Sequence, residues 1–274
     1  MKLSKLLLFG LLGLALVSCN KSEPLSDSGR EMSFRLDGLD LQVATKATAV
    51  TSVSSVYWQC LSGSTNVYAP ASYSVSGSTV NTGKFWPAGG ATYNYRVANV
   101  AFSNAGVITA SNATDIVAGT ASGVTNNSCS VVLDHIFART GELTMNTQTG
   151  YTISNVSWRI KSRGSASGTA GNYTIGTGWG ATATTALADQ AFTSSSDLYL
   201  IPGDYTVTVT YTLTKGGYVE TFTRAADVTL HQGKINSITG TANTGNAEEI
   251  QFTVSVTPWG NVGLTPSFYD PDMG

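Results

Sequence analysis

The sequence predicts an all-β chain, a sandwich of many short antiparallel strands. Apolar residues recur at every second position in most segments, and turns of Gly, Ser and Asn separate those segments at intervals of about ten residues. Past the leader, no helical period appears beyond one short candidate at Asp115–Ala121. This combination is the pattern of a β-sandwich.

The leader comes first. Lys2 and Lys5 precede an apolar run from Leu6 to Val17, and Leu16-Val17-Ser18-Cys19 puts a small residue before the cysteine, as a lipoprotein signal peptidase requires. The run is shorter than the roughly 20 apolar residues that span a bilayer. Residues 1–19 are therefore read as a lipoprotein signal peptide, with Cys19 as the lipidated first residue of the mature chain. Several acyl chains on one cysteine give stable anchoring. Asn20 to Arg30 is polar and reads as a tether.

Phe34, Leu36, Leu39, Leu41 and Val43 then alternate with small or polar residues in two phases joined at Gly38, which predicts a bulged strand over 33–43. The pattern stops at Ala44-Thr45-Lys46-Ala47-Thr48, a run of small residues around one lysine. A trypsin-like protease can cut such a run between Lys46 and Ala47 when it is exposed. A strand that can be cut away from its own sheet is a device for polymerisation.

Further strands follow. Val56, Trp58 and Cys60 share one face, and Tyr93, Tyr95 and Val97 share another, with a phase slip to Val100 and Phe102 that predicts a bulge. Val131, Leu133 and Ile136-Phe137 form a nearly continuous apolar run, as in a strand covered on both faces. The pattern breaks at Arg139-Thr140-Gly141, dividing the chain into an N-terminal β-sandwich over 20–140 and a C-terminal one over 141–274.

In the second part Tyr205, Val207, Val209, Tyr211 and Leu213 face one way and Thr206, Thr208, Thr210 and Thr212 the other. That is the composition of a half-buried antiparallel strand. Gly216-Gly217 supplies a hairpin turn, and Tyr218 to Arg224 runs back. Phe252, Val254 and Val256 repeat the alternation within Ile250–Trp259, and Pro258 puts that strand at an edge. A short tail over 260–274 carries Val262, Leu264, Pro266 and Phe268 at alternate positions, with Pro266 lacking a ladder donor.

Composition bounds the function. Loss of Lys2 and Lys5 leaves 13 of 15 basic residues against 17 acidic ones, a net charge of −4 for the mature chain. With no basic cluster, nucleic-acid binding is not expected. Only 12% of residues are charged, so Ser, Thr, Asn and Gly must cover the surface. Cys60 and Cys129 remain once Cys19 carries lipid, and an oxidising compartment allows either a disulfide or two buried thiols.

Catalytic chemistry has little material. His135 and His231 are the only histidines, neither has an identifiable nucleophile and acid beside it, and no cofactor is implied. The absence of Cys or His clustering argues against a transition-metal site. Gly176-Thr177-Gly178-Trp179-Gly180-Ala181 fits a loose dinucleotide pattern but follows no parallel strand and opens no helix, so it reads as a turn. Trp179, between Gly178 and Gly180, is the best candidate for an exposed ligand contact.

Several motifs, in their order, resemble the fimbrillin family of Bacteroides-type bacteria, the subunits of type V pili and their FimA-like and Mfa-like relatives. They are Ala44-Thr45-Lys46-Ala47-Thr48 after a first strand, Phe85-Trp86-Pro87 with Tyr93-Asn94-Tyr95, Leu133-Asp134-His135, Gly233-Lys234-Ile235-Asn236, and Val256-Thr257-Pro258-Trp259. The resemblance implies two transthyretin-like β-sandwich domains in tandem and export as an outer-membrane lipoprotein. It implies that an Arg- or Lys-specific protease cuts at Lys46 and Ala47, and that a strand from another pilus subunit, in a homo- or hetero-polymer, fills the groove left by the first strand. The product would be a surface fimbria serving adhesion. The short tail and Pro266 leave shaft, tip and anchor roles open. The rival function is a surface glycan-binding lipoprotein of a polysaccharide-uptake system, equally lipidated and β-rich.

Overall fold

The computed structural model describes residues 29–37, 52–88, 91–196, 198–243 and 249–258, and every regular element among them is a strand. In chain order the first are β1 (Glu31–Asp37), β2 (Ser55–Ser62), β3 (Thr65–Ser76), β4 (Thr79–Phe85), β5 (Tyr93–Ala98), β6 (Val107–Ser111), β7 (Val117–Val124), β8 (Ser130–Val132) and β9 (Asp134–His135). There follow β10 (Ala138–Thr147), β11 (Thr152–Ser162), β12 (Ala170–Thr174), β13 (Gly178–Thr185), β14 (Gln190–Phe192), β15 (Tyr199–Leu200), β16 (Gly203–Lys215), β17 (Tyr218–Leu230), β18 (Lys234–Asn243) and β19 (Glu249–Pro258).

The first half folds as a curled sheet in the order β8-β1-β4-β3-β2-β5-β7-β9. The long β3 belongs to both of its layers, because it pairs with β2 up to Ser74 and with β4 at Val75 and Ser76. Curling brings β1 opposite β2 and β5. Their alternating apolar residues meet there as one core of Met32, Phe34, Val56, Trp58, Tyr95 and Val131 among others.

In the second half, β15-β10-β18-β19 lies over β14-β11-β16-β17. Tyr205, Val207, Val209, Tyr211 and Leu213 all point into the core between these sheets, as their alternation predicts. The β16–β17 hairpin turns at Gly216 and Gly217, whose φ angles of 57° and 89° suit a type I′ turn. Among the described residues β19 pairs with β18 alone, an edge position consistent with its terminal Pro258.

The core of the first half ends at Leu133 and that of the second begins at Ala138. A third sheet, β13-β12-β6, spans the two halves, pairing Val107–Ser111 with Ala170–Thr174 over five residue pairs. Beneath it a third apolar cluster joins Ile108, Ile136, Phe137, Tyr173, Ile175 and Ile201.

Three local expectations are corrected. No helix forms at Asp115–Ala121, where β7 pairs Ala118 with Ala98 and Val117 with His135; two flanking strands outweigh local propensity. The phase slip after Val97 marks the end of β5 rather than a bulge, for the chain leaves the sheet after Ala98 and buries Phe102 from a loop. The apolar run at 131–137 forms no continuous strand: the short β8 takes Val131, and Leu133, Ile136 and Phe137 lie outside both β8 and β9, although all four are buried.

Candidate functional site

The seat of β1 is the feature of this molecule with the clearest mechanical consequence. β1 is an interior strand. It runs antiparallel to β4, with Phe34 opposite Val80, and parallel to β8, with Leu36 opposite Val131. Its side chains alternate as the sequence demands: Met32, Phe34 and Leu36 are 0%, 1% and 6% exposed. Phe34 stacks on Trp58 with centroids 6.1 Å apart and tilts against Tyr95 at 5.5 Å. Trp58 in turn meets Tyr95 edge-on at 5.3 Å, so the strand lies on an aromatic floor.

The main chain of β1 is held on both edges. Toward β4, Leu36 N–H donates to the Ser78 carbonyl at 2.8 Å. β4 then bulges: Glu31 pairs with Phe85 and Ser33 with Asn81, and Gly83 takes φ 61° in between. The hydroxyl of buried Thr82 reaches across this gap and donates to the Met32 carbonyl at 2.7 Å. Toward β8, Arg35 N–H donates to the Cys129 carbonyl at 2.9 Å and Leu133 N–H to the Asp37 carbonyl at 3.0 Å.

Where β8 gives out, a side chain replaces it. Asn127, in the turn between β7 and β8, donates from Nδ2 to the Glu31 carbonyl at 2.7 Å and accepts from Ser33 N–H at 3.3 Å through Oδ1. The same Oδ1 accepts the indole N–H of buried Trp86 at 2.8 Å. Asn127 and Thr82 are site residues that sequence reasoning missed, and Trp86, singled out there only as part of a motif, gains its role here. An asparagine in a turn and a threonine in a strand are commonplace, and only their placement across β1 gives them a role.

Of the residues singled out in the sequence, Phe34 and Leu36 come together in this seat. Cys19, Leu39, Leu41, Val43, Lys46 and Ala47 lie outside the described residues. Cys60 and Cys129 are free thiols rather than a disulfide. Cys60 is buried in β2, and Cys129 directs its thiol to the Ser130 carbonyl at 3.7 Å. Burial pushes the Cys60 thiol up to about 12 and that of Cys129 to about 11, which keeps both protonated and poorly nucleophilic.

Trp179 is half-buried, with its indole N–H donated to the Ile136 carbonyl at 2.6 Å and its ring against Phe137 and Tyr173 at 5.1 and 5.4 Å. The Gly176 segment forms the tight β12–β13 turn that its composition predicts. His135 accompanies buried Asp115, Nδ1 to Oδ1 at 3.0 Å, with no nucleophile in that contact, and His231 is exposed. Among the described residues, no three His, Cys, Asp or Glu side chains gather as metal ligands. An open cleft of about 490 Å³ lies in the second half, walled mainly by Leu143, Met145, Ile153, Trp158 and Phe192.

The fold is shared with proteins of known structure. The fold is that of a fimbrillin. Fimbrilin (FimA) of Porphyromonas gingivalis W83 superposes with a TM-score of 0.54 at 10% identity, over 88% of this chain and 100% of that one. A candidate cell adhesion protein of Parabacteroides distasonis ATCC 8503 gives 0.54 at 12% identity, over 86% and 99%. A second from the same organism gives 0.50 at 8%, over 84% and 99%. No protein-family model matches the chain, and no curated protein matches it significantly.

Proposed function

We propose that this chain is a structural subunit of a type V pilus, of the fimbrillin family, serving adhesion at the cell surface and performing no catalysis. In this reading it is two transthyretin-like sandwiches in tandem, divided near Thr140, and it reaches the outer membrane as a lipoprotein on Cys19. An Arg- or Lys-specific protease cuts between Lys46 and Ala47, the first strand leaves, and a strand from another subunit takes its place. The fold shared with a fimbrilin supports the family. The observation that carries the mechanism is the seat of β1, an N-terminal strand held between two others with three side chains buried.

Withdrawal of that strand uncovers the aromatic floor and leaves β4 and β8 with unpaired main-chain groups. Burying three such side chains is worth on the order of 6 kcal/mol gross, and β-addition restores both the burial and the hydrogen bonds. A vacated seat therefore drives polymerisation, and a filled one dissociates slowly.

The test is processing itself. Digestion of the full chain with trypsin is expected to cut after Lys46 and to yield oligomers that grow with protein concentration, whereas Lys46→Ala remains monomeric under the same treatment. Normal polymers from Lys46→Ala would overturn the processing step. Mass spectrometry of the surface-exposed protein from cells supplies the second check, since Ala47 is expected at the N-terminus of the polymer and lipidated Cys19 at that of the precursor.

A further inference from the structure

We propose that Asn127, braced by Trp86 and helped by Thr82, is the register stop of the β1 seat. It grips the main chain of whatever strand lies there, so that an aromatic residue three positions from the gripped carbonyl falls on Trp58 and Tyr95. This rests on the strand-exchange reading above and adds to it the chemistry of the incoming strand and the residues that align it.

The geometry separates two kinds of recognition. From Arg35 to Asp37 the β8 edge is an ordinary ladder, which any strand satisfies in any register shifted by two residues. Such a ladder gives adhesion without alignment. At Glu31 and Ser33 the ladder is replaced by one amide that spends its donor and its acceptor on two successive main-chain groups of that same edge. Both hydrogen bonds go to backbone, so the side chains at these positions are free to differ. The Trp86 indole fixes the amide oxygen, which leaves Nδ2 aimed at the carbonyl.

On the opposite edge the β4 bulge removes the regular partner of Met32, and Thr82 supplies a single donor to its carbonyl. A strand displaced by two residues still finds ladder partners along β8 and still points the same face inward, but its aromatic residue then misses Trp58 and Tyr95 and an aliphatic one takes that place. The seat accordingly takes an extended segment with an aromatic residue flanked by apolar ones two positions to either side, as Met32, Phe34 and Leu36 are arranged. The tail of this chain does not offer that pattern, for Phe268 has Pro266 on one side and Asp270 on the other. The partner strand is therefore assigned to a segment other than 262–270.

The experiment uses the full chain nicked after Lys46, freed of protease, with a fluorescein-labelled peptide of residues 30–37. Benzoylphenylalanine at the Phe34 position marks the register. The wild-type protein is expected to take up the peptide and cross-link it at Trp58 or Tyr95. Asn127→Ala, which removes both hydrogen bonds to the strand's main chain, is expected to bind it about 10- to 100-fold more weakly and to scatter the cross-links to positions two residues away. Asn127→Asp, which keeps the acceptor, is expected to fall between. Equal affinity and unchanged cross-links in folded Asn127→Ala and Asn127→Asp would overturn the register stop while leaving strand exchange standing. Failure of the nicked wild-type protein to take up the peptide would overturn both.

Discussion

Tyr95 shows how closely the floor of the β1 seat is matched to apolar partners. Its ring touches Phe34 and Trp58, yet its hydroxyl and the Trp58 indole N–H are buried with no hydrogen-bond partner among the described residues. Burial pushes the Tyr95 hydroxyl far above the usual phenol range. An unmet buried hydroxyl costs about 1–3 kcal/mol, so Tyr95→Phe is expected to stabilise the protein by about 1 kcal/mol in urea unfolding, the opposite sign to most core substitutions. A loss of stability would mean that the hydroxyl has a partner after all. Legibility divides sharply at this scale. The alternation of Phe34 with Leu36, and of Trp58 with Cys60, announces burial in the sequence alone. The hydrogen bond between Asn127 and Glu31 joins residues 96 positions apart through a single amide, and no periodicity encodes it.

At the scale of elements, the seat exists because β7 and β8 close over its end. Gly119 in β7 lies so near β8 that a Cβ there would stand 1.9 Å from the Val132 carbonyl oxygen, far inside contact distance. Main chain cannot withdraw as a flexible side chain does, so Gly119→Ala must push β8 outward. β8 has three residues and holds β1 through Arg35, Leu36 and Asp37, and its displacement loosens the strand it should hold. Gly119→Ala is expected to lower stability by about 2 kcal/mol or more and to speed hydrogen exchange at Arg35. Unchanged exchange at that amide would show that β8 does not control the seat. Long regular strands such as β16 and β17 are legible because thirteen residues of alternation joined by Gly216-Gly217 have one natural solution. β8 and β9 are not, since their apolar run is buried by what surrounds it and its division depends on pairing with β1 and β7.

For the whole molecule the decisive element is the sheet that pairs β6 with β12. A linker alone between two sandwiches would let them turn and unfold independently. Here five residue pairs cross between the halves. Trp179 fastens the segment between the two cores by donating to Ile136 and packing on Phe137. In the pilus subunit proposed above, a stiff join would pass tension from the held strand to the rest of the body without lengthening. The native chain is expected to unfold in one calorimetric transition, with fluorescence and circular dichroism coincident. Trp179→Ala removes the indole bond and the ring that fills the join, and is expected to split the transition in two, the half containing β1 melting separately from the half containing β16. Trp179→Phe keeps much of the ring and should retain a single transition at a somewhat lower temperature. If Trp179→Ala still melts as one unit, the β6–β12 ladder suffices by itself and the tryptophan is not what couples the halves.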